Sequence, residues 1–285
     1  MTLPPWTPGA DVDDAMFTSL TPGGLTGEFV ASIWLHEGDS PAHRAELRLP
    51  TGAVELLINL REDRFSLSDG GVRHAYSGAL VAGPYRRAYM LDTAQQSHVL
   101  GVVFRSGGAR PLVNAPLHEL RDRHVALEDL WGSSADRVRE RALAAPDALT
   151  RLRTVESALR DRLAHSAEAA HPLAAAATAW LSGAPGRHGV AELAERVGLT
   201  QRRVEQVFRT DVGLSPKAYQ RLRRFRSALA SIDDAARLGW PAFAMRHGYY
   251  DQAHFIRDFR AHCGLSPTTY LQRRGQQLNH VPLPA

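Results

Sequence analysis

The chain has one cysteine, one lysine and no long hydrophobic run. Because Cys263 stands alone, an internal disulfide and a multi-cysteine zinc site are both excluded. A membrane-spanning helix would need a run of about eighteen apolar residues, and the sequence has none. The N-terminal segment Met1–Trp6 lacks a basic region followed by an apolar one, which disfavours a secretory signal. We therefore expect a cytoplasmic protein without membrane contact.

A duplicated segment is the strongest pattern in the sequence. Residues Thr200–Tyr219 align without a gap on Asp251–Tyr270, at a constant offset of 51. Each copy combines a possible helix cap, an apolar stripe, a Gly-Leu-Ser-Pro turn and a tyrosine. A spacing of this kind indicates a repeated structural unit.

Each copy has the features of the second half of a helix-turn-helix. In the first copy, Gly198 can take the positive φ of a sharp turn, and Thr200 can cap the next helix. In the second copy, Gly248 and Asp251 occupy the equivalent positions. The apolar residues of each helix recur at helical spacing, which predicts one buried stripe. They are Val204, Val207 and Phe208 in the first copy and Phe255, Ile256 and Phe259 in the second.

These motifs resemble the AraC/XylS-type family of transcription regulators. The resemblance covers about residues 172–275 and rests on Ala191–Leu199, on Phe208–Tyr219 and on the Gly-Tyr-Tyr-Asp-Gln block that opens the segment Gly248–Tyr270. It implies a DNA-binding domain made of two helix-turn-helix units joined by one long helix, with double-stranded DNA and RNA polymerase as partners. It leaves open whether the protein is an activator or a repressor.

The connecting helix is also predicted by the residues themselves. Ser215 and Pro216 provide an N-cap and a first helical residue, and no Gly or Pro follows before Ala230. A helix over residues 215–230 has sixteen residues and spans roughly 24 Å at 1.5 Å per residue. Such a rod can hold two recognition helices about one DNA turn apart, roughly 34 Å.

Charge is distributed unevenly along the chain. Residues 172–285 hold 16 basic against 8 acidic side chains, whereas residues 1–171 hold 18 against 22. All the basic side chains except Lys217 are arginine, which binds phosphate and can also form paired hydrogen bonds with guanine. The basic excess therefore coincides with the predicted DNA-binding units.

The exposed face near the start of each recognition helix provides the candidate base contacts. These are Gln201, Arg202, Glu205, Gln206, Gln252, Ala253, Ile256 and Arg257. The resemblance implies base contacts at Arg202, Gln206, Gln252, Ala253 and Arg257, while Ile256 could belong wholly to the core. Neighbouring candidates for phosphate contact are Arg203, Arg209, His254 and Arg260, with ordinary surface exposure as the alternative.

The first part of the chain alternates short apolar runs with Gly-, Pro- and Asp-containing turns. Candidate strands are 29–35, 54–60, 65–67, 79–82 and 98–104, and helical patterns follow at 110–114, 127–131, 136–144 and 148–163. The stretch Leu49–Leu60 resembles part of the cupin-like sensor domains that precede such DNA-binding domains. The predicted fold is α+β. It combines a β-rich, cupin-like or rolled-sheet domain and its following helices with an all-α domain of two helix-turn-helix units.

The predicted domain bounds are 1–165 for sensing or oligomerisation, 166–172 for a linker, 173–275 for DNA binding and 276–285 for a tail. The apolar seam of 149–163 would suit either a homodimer contact or packing on its own sheet. Both alternatives remain open from the sequence.

A small-molecule effector pocket is the further possibility for the first domain. Glu55 and Asn59 lie on the same face of a predicted apolar strand, so each needs a polar partner if buried. That partner could be a ligand or an internal group such as Arg48 or Arg86. The candidate pocket residues are Trp34, Glu55, Asn59, Tyr85, Tyr89 and Phe104.

Enzyme motifs are missing from the sequence. It contains no Gly-rich phosphate loop, nucleophile elbow or Cys/His pairing. His36, Glu37, His43, Glu55 and His98 are scattered without a His-x-His motif, although a metal site needs three or four converging ligands. We expect a regulator with no catalytic residues, metal or cofactor. A cupin-type metal enzyme fused to a DNA-binding module is the alternative.

Overall fold

The computed structural model describes residues 16–40, 43–69, 72–166, 171–183, 189–275 and 277–283. Strands dominate up to about residue 104 and helices thereafter, so the α+β prediction is confirmed. We call residues 16–166 the N-terminal domain and residues 171–275 the C-terminal domain. Residues 167–170, inside the predicted linker, lie outside the described residues, and the predicted domain bounds stay predictions.

The N-terminal domain is built from two antiparallel sheets. Its strands are β1 (Met16–Leu20), β2 (Val30–Glu37), β3 (Ala45–Arg48), β4 (Glu55–Asn59), β5 (Arg64–Asp69), β6 (Val72–Ser77), β7 (Ala79–Ala82), β8 (Tyr89–Asp92), β9 (His98–Phe104) and β10 (His124–Ala126). The larger sheet has the order β1-β2-β9-β4-β7-β10. The smaller sheet contains β3-β8-β5-β6, together with a strand from the C-terminal tail.

The central strands of the larger sheet are apolar on both faces because both faces are covered. Along β2, Ile33 and Leu35 pack against helices, whereas Trp34 points to the opposite side and joins Phe65 and Leu80 between the sheets. This alternation follows the two-residue period of a strand. A layer of helices therefore lies on one side of the sheet and the smaller sheet on the other.

The described helices after residue 109 follow the predicted segments closely, whereas the first helix, Gly24–Phe29, was not predicted. The helices of this domain are α1 (Gly24–Phe29), α2 (Arg110–Val113), α3 (Leu127–Trp131), α4 (Ser134–Ala144) and α5 (Ala148–Ala164). In α5, Leu152, Val155 and Leu159 are buried in the domain's own core, while Leu149 is 42% exposed. The apolar seam is thus used mainly inside the domain, and a homodimer stays a prediction.

The C-terminal domain contains the duplicated units and the rod. Its helices are α6 (Pro172–Gly183), α7 (Val190–Arg196), α8 (Gln201–Val207), α9 (Pro216–Ala230), α10 (Asp234–Leu238), α11 (Trp240–Arg246), α12 (Gln252–Cys263) and α13 (Pro267–Arg273). The first unit is α7 with α8, and the second is α11 with α12. The rod is α9, which is about 22 Å long at 1.5 Å per residue.

The predicted turns and caps of the two units are confirmed. Gly198 and Gly248 have φ of +65° and +74° at the turns. The side chains of Thr200 and Asp251 accept hydrogen bonds from the backbone amides three residues later. Ser215 is the N-cap of the rod, as expected, and the helix itself covers Pro216–Ala230.

The two units differ where their second helices end. After α8 the chain makes a π-helical turn at Phe208–Val212, whereas α12 continues as a regular helix through the equivalent positions. The π turn buries Asp211, which pairs with Arg110 of the N-terminal domain at 3.3 Å. The first unit is therefore joined directly to the N-terminal domain.

The expected tail contributes a strand to the N-terminal domain. The strand β11 (His280–Pro282) pairs antiparallel with β3 and forms the edge of the smaller sheet. The sequence predicts a separate tail at residues 276–285 and gives no sign of this strand. Three residues are too few to show a period of two.

The glycines that end the second helix of each unit allow a matched test of the domain contact. Gly213 and Gly264 have φ of +83° and +79°, so alanine strains the backbone equally at both. A Cβ on Gly213 would lie 2.5 Å from Pro84 and 2.8 Å from the carbonyl oxygen of Leu117, whereas Gly264 faces open space. We expect Gly213→Ala to lower the free energy of unfolding by about 1 to 3 kcal/mol more than Gly264→Ala does. Chemical denaturation of both variants measures this difference, and equal losses would contradict the packed contact.

Candidate nucleic-acid interface and ligand cleft

The recognition helix of the first unit presents its polar face to solvent. Gln201, Arg202, Glu205 and Gln206 are all exposed. On the opposite face, the apolar stripe of Val204, Val207 and Phe208 is no more than 3% exposed. Burial of the stripe fixes the rotation of α8 and directs the four candidate base contacts outward.

The second recognition helix has the same arrangement with a narrower exposed face. Ala253 and Arg257 are exposed, whereas Gln252 is half-buried. Ile256 is partly buried and packs against the core, so it divides its surface between core and solvent. Arg257 is thus the long side chain of this face with the freest access to a groove.

The candidate phosphate contacts also lie mostly on the surface. Arg203, Arg209 and Arg260 are exposed, and Arg203 donates to the side-chain oxygen of Gln206 at 3.0 Å. His254 is half-buried, and its Nδ1 accepts from the backbone amide of Tyr250 at 3.3 Å. This bond gives His254 a role in the local fold whether or not it reaches a phosphate.

The turns that precede the two caps expose apolar side chains that sequence reasoning overlooked. Tyr250 is 88% exposed, and Leu199, its equivalent in the first unit, is 37% exposed. Each lies one residue before a cap, beside the recognition helix. The offset of 51 links the two positions in the sequence, although a lone exposed residue gives no functional signal by itself.

A buried carboxylate fastens the second recognition helix to the rod. Asp258 of α12 is 2% exposed and accepts from Nε of Arg221 at 3.0 Å. Arg224 approaches it at 3.7 Å and lies over the ring of Tyr249 at 4.7 Å. The equivalent residue of the first unit is Val207, so this tie between rod and helix exists in the second unit alone.

Glu55 and Asn59 both have internal partners. Glu55 pairs with Arg48 at 3.4 Å, which is one of the two arginines considered from the sequence. Asn59 donates to the carbonyl oxygen of Arg64 at 3.1 Å, and its own side-chain oxygen accepts from two backbone amides at 2.9 Å. Asn59 therefore stabilises the turn between β4 and β5.

The other candidate pocket residues are divided among different environments. Trp34, Glu55 and Tyr89 line a small cavity of about 60 Å³ between the sheets. Tyr85 hydrogen-bonds His124 at 2.6 Å. Phe104 belongs to the core on the helical side of the larger sheet, and it also borders a second space together with Glu55. The structure therefore does not gather the six residues into one pocket.

The second space is a cleft of about 460 Å³ between the two domains. We call it the interdomain cleft. The N-terminal domain contributes Arg48, Thr51 and Glu55, among others, and the rod contributes Tyr219, Arg223 and Arg226. Its volume falls within the range of about 300 to 1,000 Å³ that small-molecule sites usually occupy, whereas the cavity between the sheets is far smaller.

Positive charge predominates in the interdomain cleft. Arg226 donates to the carbonyl oxygen of Thr51 at 3.0 Å, and burial together with the charge of Arg223 lowers the pKa of Arg226 to about 10. The buried Nε of Arg223 has no hydrogen-bond partner among the residues that the structure describes. Glu55 is the one carboxylate in the described lining. The cleft can therefore accept a negatively charged group.

The metal-site candidates from the sequence do not form a ligand set. In the described part of the chain, no three His, Cys, Asp or Glu side chains are grouped closely enough to hold a metal ion. His36 is buried, and this burial and the nearby His98 lower its pKa to about 4.

No helix of the described residues is long and apolar enough to cross a membrane.

Comparison with known families finds one match in each domain. Residues 193–273 match the helix-turn-helix domain family, and residues 20–126 match a domain of unknown function (DUF6597). No curated protein matches the sequence. The helix-turn-helix match covers the rod, the second unit and the first unit from residue 193 onward.

Solved structures with a similar outline include DNA-binding regulators. Unsaturated fatty acid-bound ToxT from Vibrio cholerae is 9% identical, with 90% of this chain and 94% of that chain covered and a TM-score of 0.44. A DNA-binding transcriptional dual regulator from Escherichia coli K-12 is 19% identical, with 37% and 96% covered and a TM-score of 0.32. The C-terminal domain of AraT, a response regulator from Geobacillus stearothermophilus, is 19% identical, with 38% and 89% covered and a TM-score of 0.33.

The tie between rod and recognition helix predicts a specific effect of Asp258→Asn. The change keeps the shape of the side chain but removes the charge that holds Arg221 and Arg224. We expect a loss of about 1 to 2 kcal/mol in unfolding free energy, moderated because Arg221 is half-exposed. Affinity for a DNA site that needs both units should also fall.

Asp234→Asn is the matched control, because Asp234 forms longer and more exposed pairs, with Arg237 and Arg246 at 3.7 Å. Denaturation and fluorescence anisotropy with labelled DNA compare the two variants. Equal effects of both substitutions would show that Asp258 does not position the recognition helix.

Proposed function

We propose that this chain, an AraC-type DNA-binding transcription regulator, reads a two-part DNA site with α8 and α12 and responds to an anionic small molecule in the interdomain cleft. The observation that carries the DNA-binding part is the pair of equivalently capped recognition helices on one rod. Their candidate base contacts mostly face solvent, and basic residues outnumber acidic ones by 16 to 8 in residues 172–285. Binding to an operator in the cytoplasm would then alter recruitment of RNA polymerase.

Each unit would divide its contacts between bases and backbone. In the first unit, Arg202 and Gln206 extend from the exposed face and suit guanine and adenine edges. In the second, Arg257 suits guanine and Ala253 suits a thymine methyl group. Leu199 and Tyr250 flank the two helices and add apolar contact at the groove wall. Exposed arginines beside these residues hold the phosphates and set the register.

The proposed effector site uses the arginines of the cleft. Arg223 and Arg226 come from the rod, whereas Arg48 comes from the N-terminal domain. An anion bound among them would contact both domains, so its binding energy would depend on their relative arrangement. A ligand of this kind would act on the rod that separates the two recognition helices. The protein then needs no catalytic residue, and we propose that it is not an enzyme.

The division between base and phosphate contacts predicts different effects for two arginines of α12. Arg257→Ala should cost about 1 to 3 kcal/mol on the preferred site and little on random DNA. Arg260→Ala should weaken both by similar factors, because phosphates carry no sequence information. Selection from random DNA defines the preferred site, and titrations at one fixed salt concentration measure both variants. Similar specificity losses in both variants would place the base-reading face elsewhere.

The charge of the cleft predicts a preference for anionic ligands. We expect benzoate and octanoate to raise the melting temperature more than benzyl alcohol and octanol, their neutral counterparts. Arg223→Gln should abolish that preference, whereas Arg237→Gln, an exposed arginine outside the described cleft lining, should retain it. Thermal shift at constant ionic strength is the measurement. Equal shifts from charged and neutral probes would rule out an anion site here.

A further inference from the structure

The strand β11 connects the second helix-turn-helix unit to the N-terminal sheet. It lies in register with β3, with Val281 opposite Leu47. The amide of Leu49 donates to the carbonyl oxygen of Asn279 at 2.8 Å. The amide of Leu283 donates to the carbonyl oxygen of Ala45 at 2.9 Å. A segment that follows α13 in the chain therefore completes a sheet of the other domain.

Buried polar contacts hold this strand on one face. The ring of His280 lies between Glu46 and Arg48 of β3, with Nδ1 bonded to the Glu46 carboxylate and Nε2 accepting from the Arg48 guanidinium. The Arg48 guanidinium can only donate, so Nε2 carries no proton, and burial together with the charge of Arg48 lowers the pKa of His280. The docked imidazole therefore donates at Nδ1 and accepts at Nε2, as a neutral ring does.

The opposite face of the strand belongs to the core of the C-terminal domain. Val281 is fully buried there, with Leu47 and Leu49 of the N-terminal domain in the same cluster. Just before the strand, the hydroxyl of Tyr270 in α13 donates to the carbonyl oxygen of Leu278 at 2.7 Å. Seven residues after α13, the chain is thus fixed to both the second unit and the N-terminal sheet.

The strand is also well placed to be released. It has three residues, occupies a sheet edge and pairs with one neighbour, so opening it breaks few bonds compared with opening the sheet. Arg48, which holds His280, lines the interdomain cleft as well, and so does Asn279. An anion that binds Arg48 would compete with the docked histidine.

We propose that β11 is a releasable latch by which the N-terminal domain restrains the second helix-turn-helix unit. The unit is held elsewhere by a bond from the amide of Ala88 to the carbonyl oxygen of His262 at 2.8 Å, so the latch acts with a second contact. Release of the strand gives α12 more freedom to align with its groove, whereas docking holds it against the N-terminal domain. The inference rests on the proposed reading of DNA by both units.

A reversible cross-link tests the latch in the full chain. Leu47 and Val281 are paired residues on neighbouring antiparallel strands, whose Cα atoms lie about 5.5 Å apart or less, so cysteines at both can form a disulfide. The reduced form of the Leu47→Cys, Val281→Cys variant is the matched control for its oxidised form. The single variant Leu47→Cys, treated identically, controls for oxidation of the native Cys263.

The oxidised form should bind the two-part DNA site about ten-fold more weakly than the reduced form, within the usual range of coupling between sites. The affinity for a site read by the first unit alone should change by less than about two-fold, because the latch restrains the second unit. Equal or tighter binding of the two-part site by the oxidised form would overturn the latch.

Hydrogen exchange gives a readout that does not depend on DNA. In the unmodified protein, the amides of Leu49 and Leu283 should exchange faster than those of β2 and β9, because the latch opens while the sheet stays folded. His280→Ala should accelerate exchange at Leu49 and Leu283 by about ten-fold or more and leave β2 and β9 unchanged. The latch would be overturned if His280→Ala accelerated exchange equally in β11, β2 and β9. It would also be overturned if the amides of Leu49 and Leu283 in the unmodified protein exchanged no faster than those of β2 and β9. Failure of every form to bind DNA would instead refute the proposed function.

Discussion

The helix α9 makes different contacts on different faces, and both units depend on it. Its apolar stripe, which includes Leu222 and Phe225, is buried in the C-terminal core. Another face holds α12 through Arg221 and Asp258, and a third places Arg226 in the interdomain cleft. A rotation of the helix would disturb all three sets of contacts together. The rod therefore fixes the second recognition helix and also carries one wall of the interdomain cleft.

Close packing between the domains makes this arrangement sensitive to small changes. Leu49 of the N-terminal domain lies within the core of the C-terminal domain. A Cβ on Gly52 would lie 2.5 Å from a methyl carbon of Leu222 in the rod. Tightly packed interiors shift between discrete arrangements more readily than they deform continuously. A ligand that changes the cleft would thus act on the rod by altering how these surfaces fit.

Local patterns explain how much of the fold was predictable from the sequence. The turns, caps and recognition helices were predicted because their determinants lie within a few residues of each other, as with Thr200 and Val204. The buried strands β4, β7 and β9 were recognised by their apolar runs. By contrast, β3 and β11 carry Glu46, Arg48 and His280 into buried positions. Their stability depends on partners more than 230 residues apart in the chain, which no local pattern records.

The same distinction separates the predictable part of the candidate sites from the rest. Helical spacing was enough to place Arg202 and Arg257 on exposed faces, because a buried stripe determines the opposite face. The cleft was not predictable, since Arg226 meets Thr51 only after folding brings distant segments together. Asp258 could have been noticed where the repeat replaces Val207 with a carboxylate. That substitution gives the second unit a tie to the rod that the first unit lacks. Both units also contact the N-terminal domain, the first through Asp211 and Arg110 and the second through His262 and the backbone of Arg86. A change in the N-terminal domain would therefore act on the two units through separate contacts, and the proposed control of a two-part DNA site would depend on how those contacts differ.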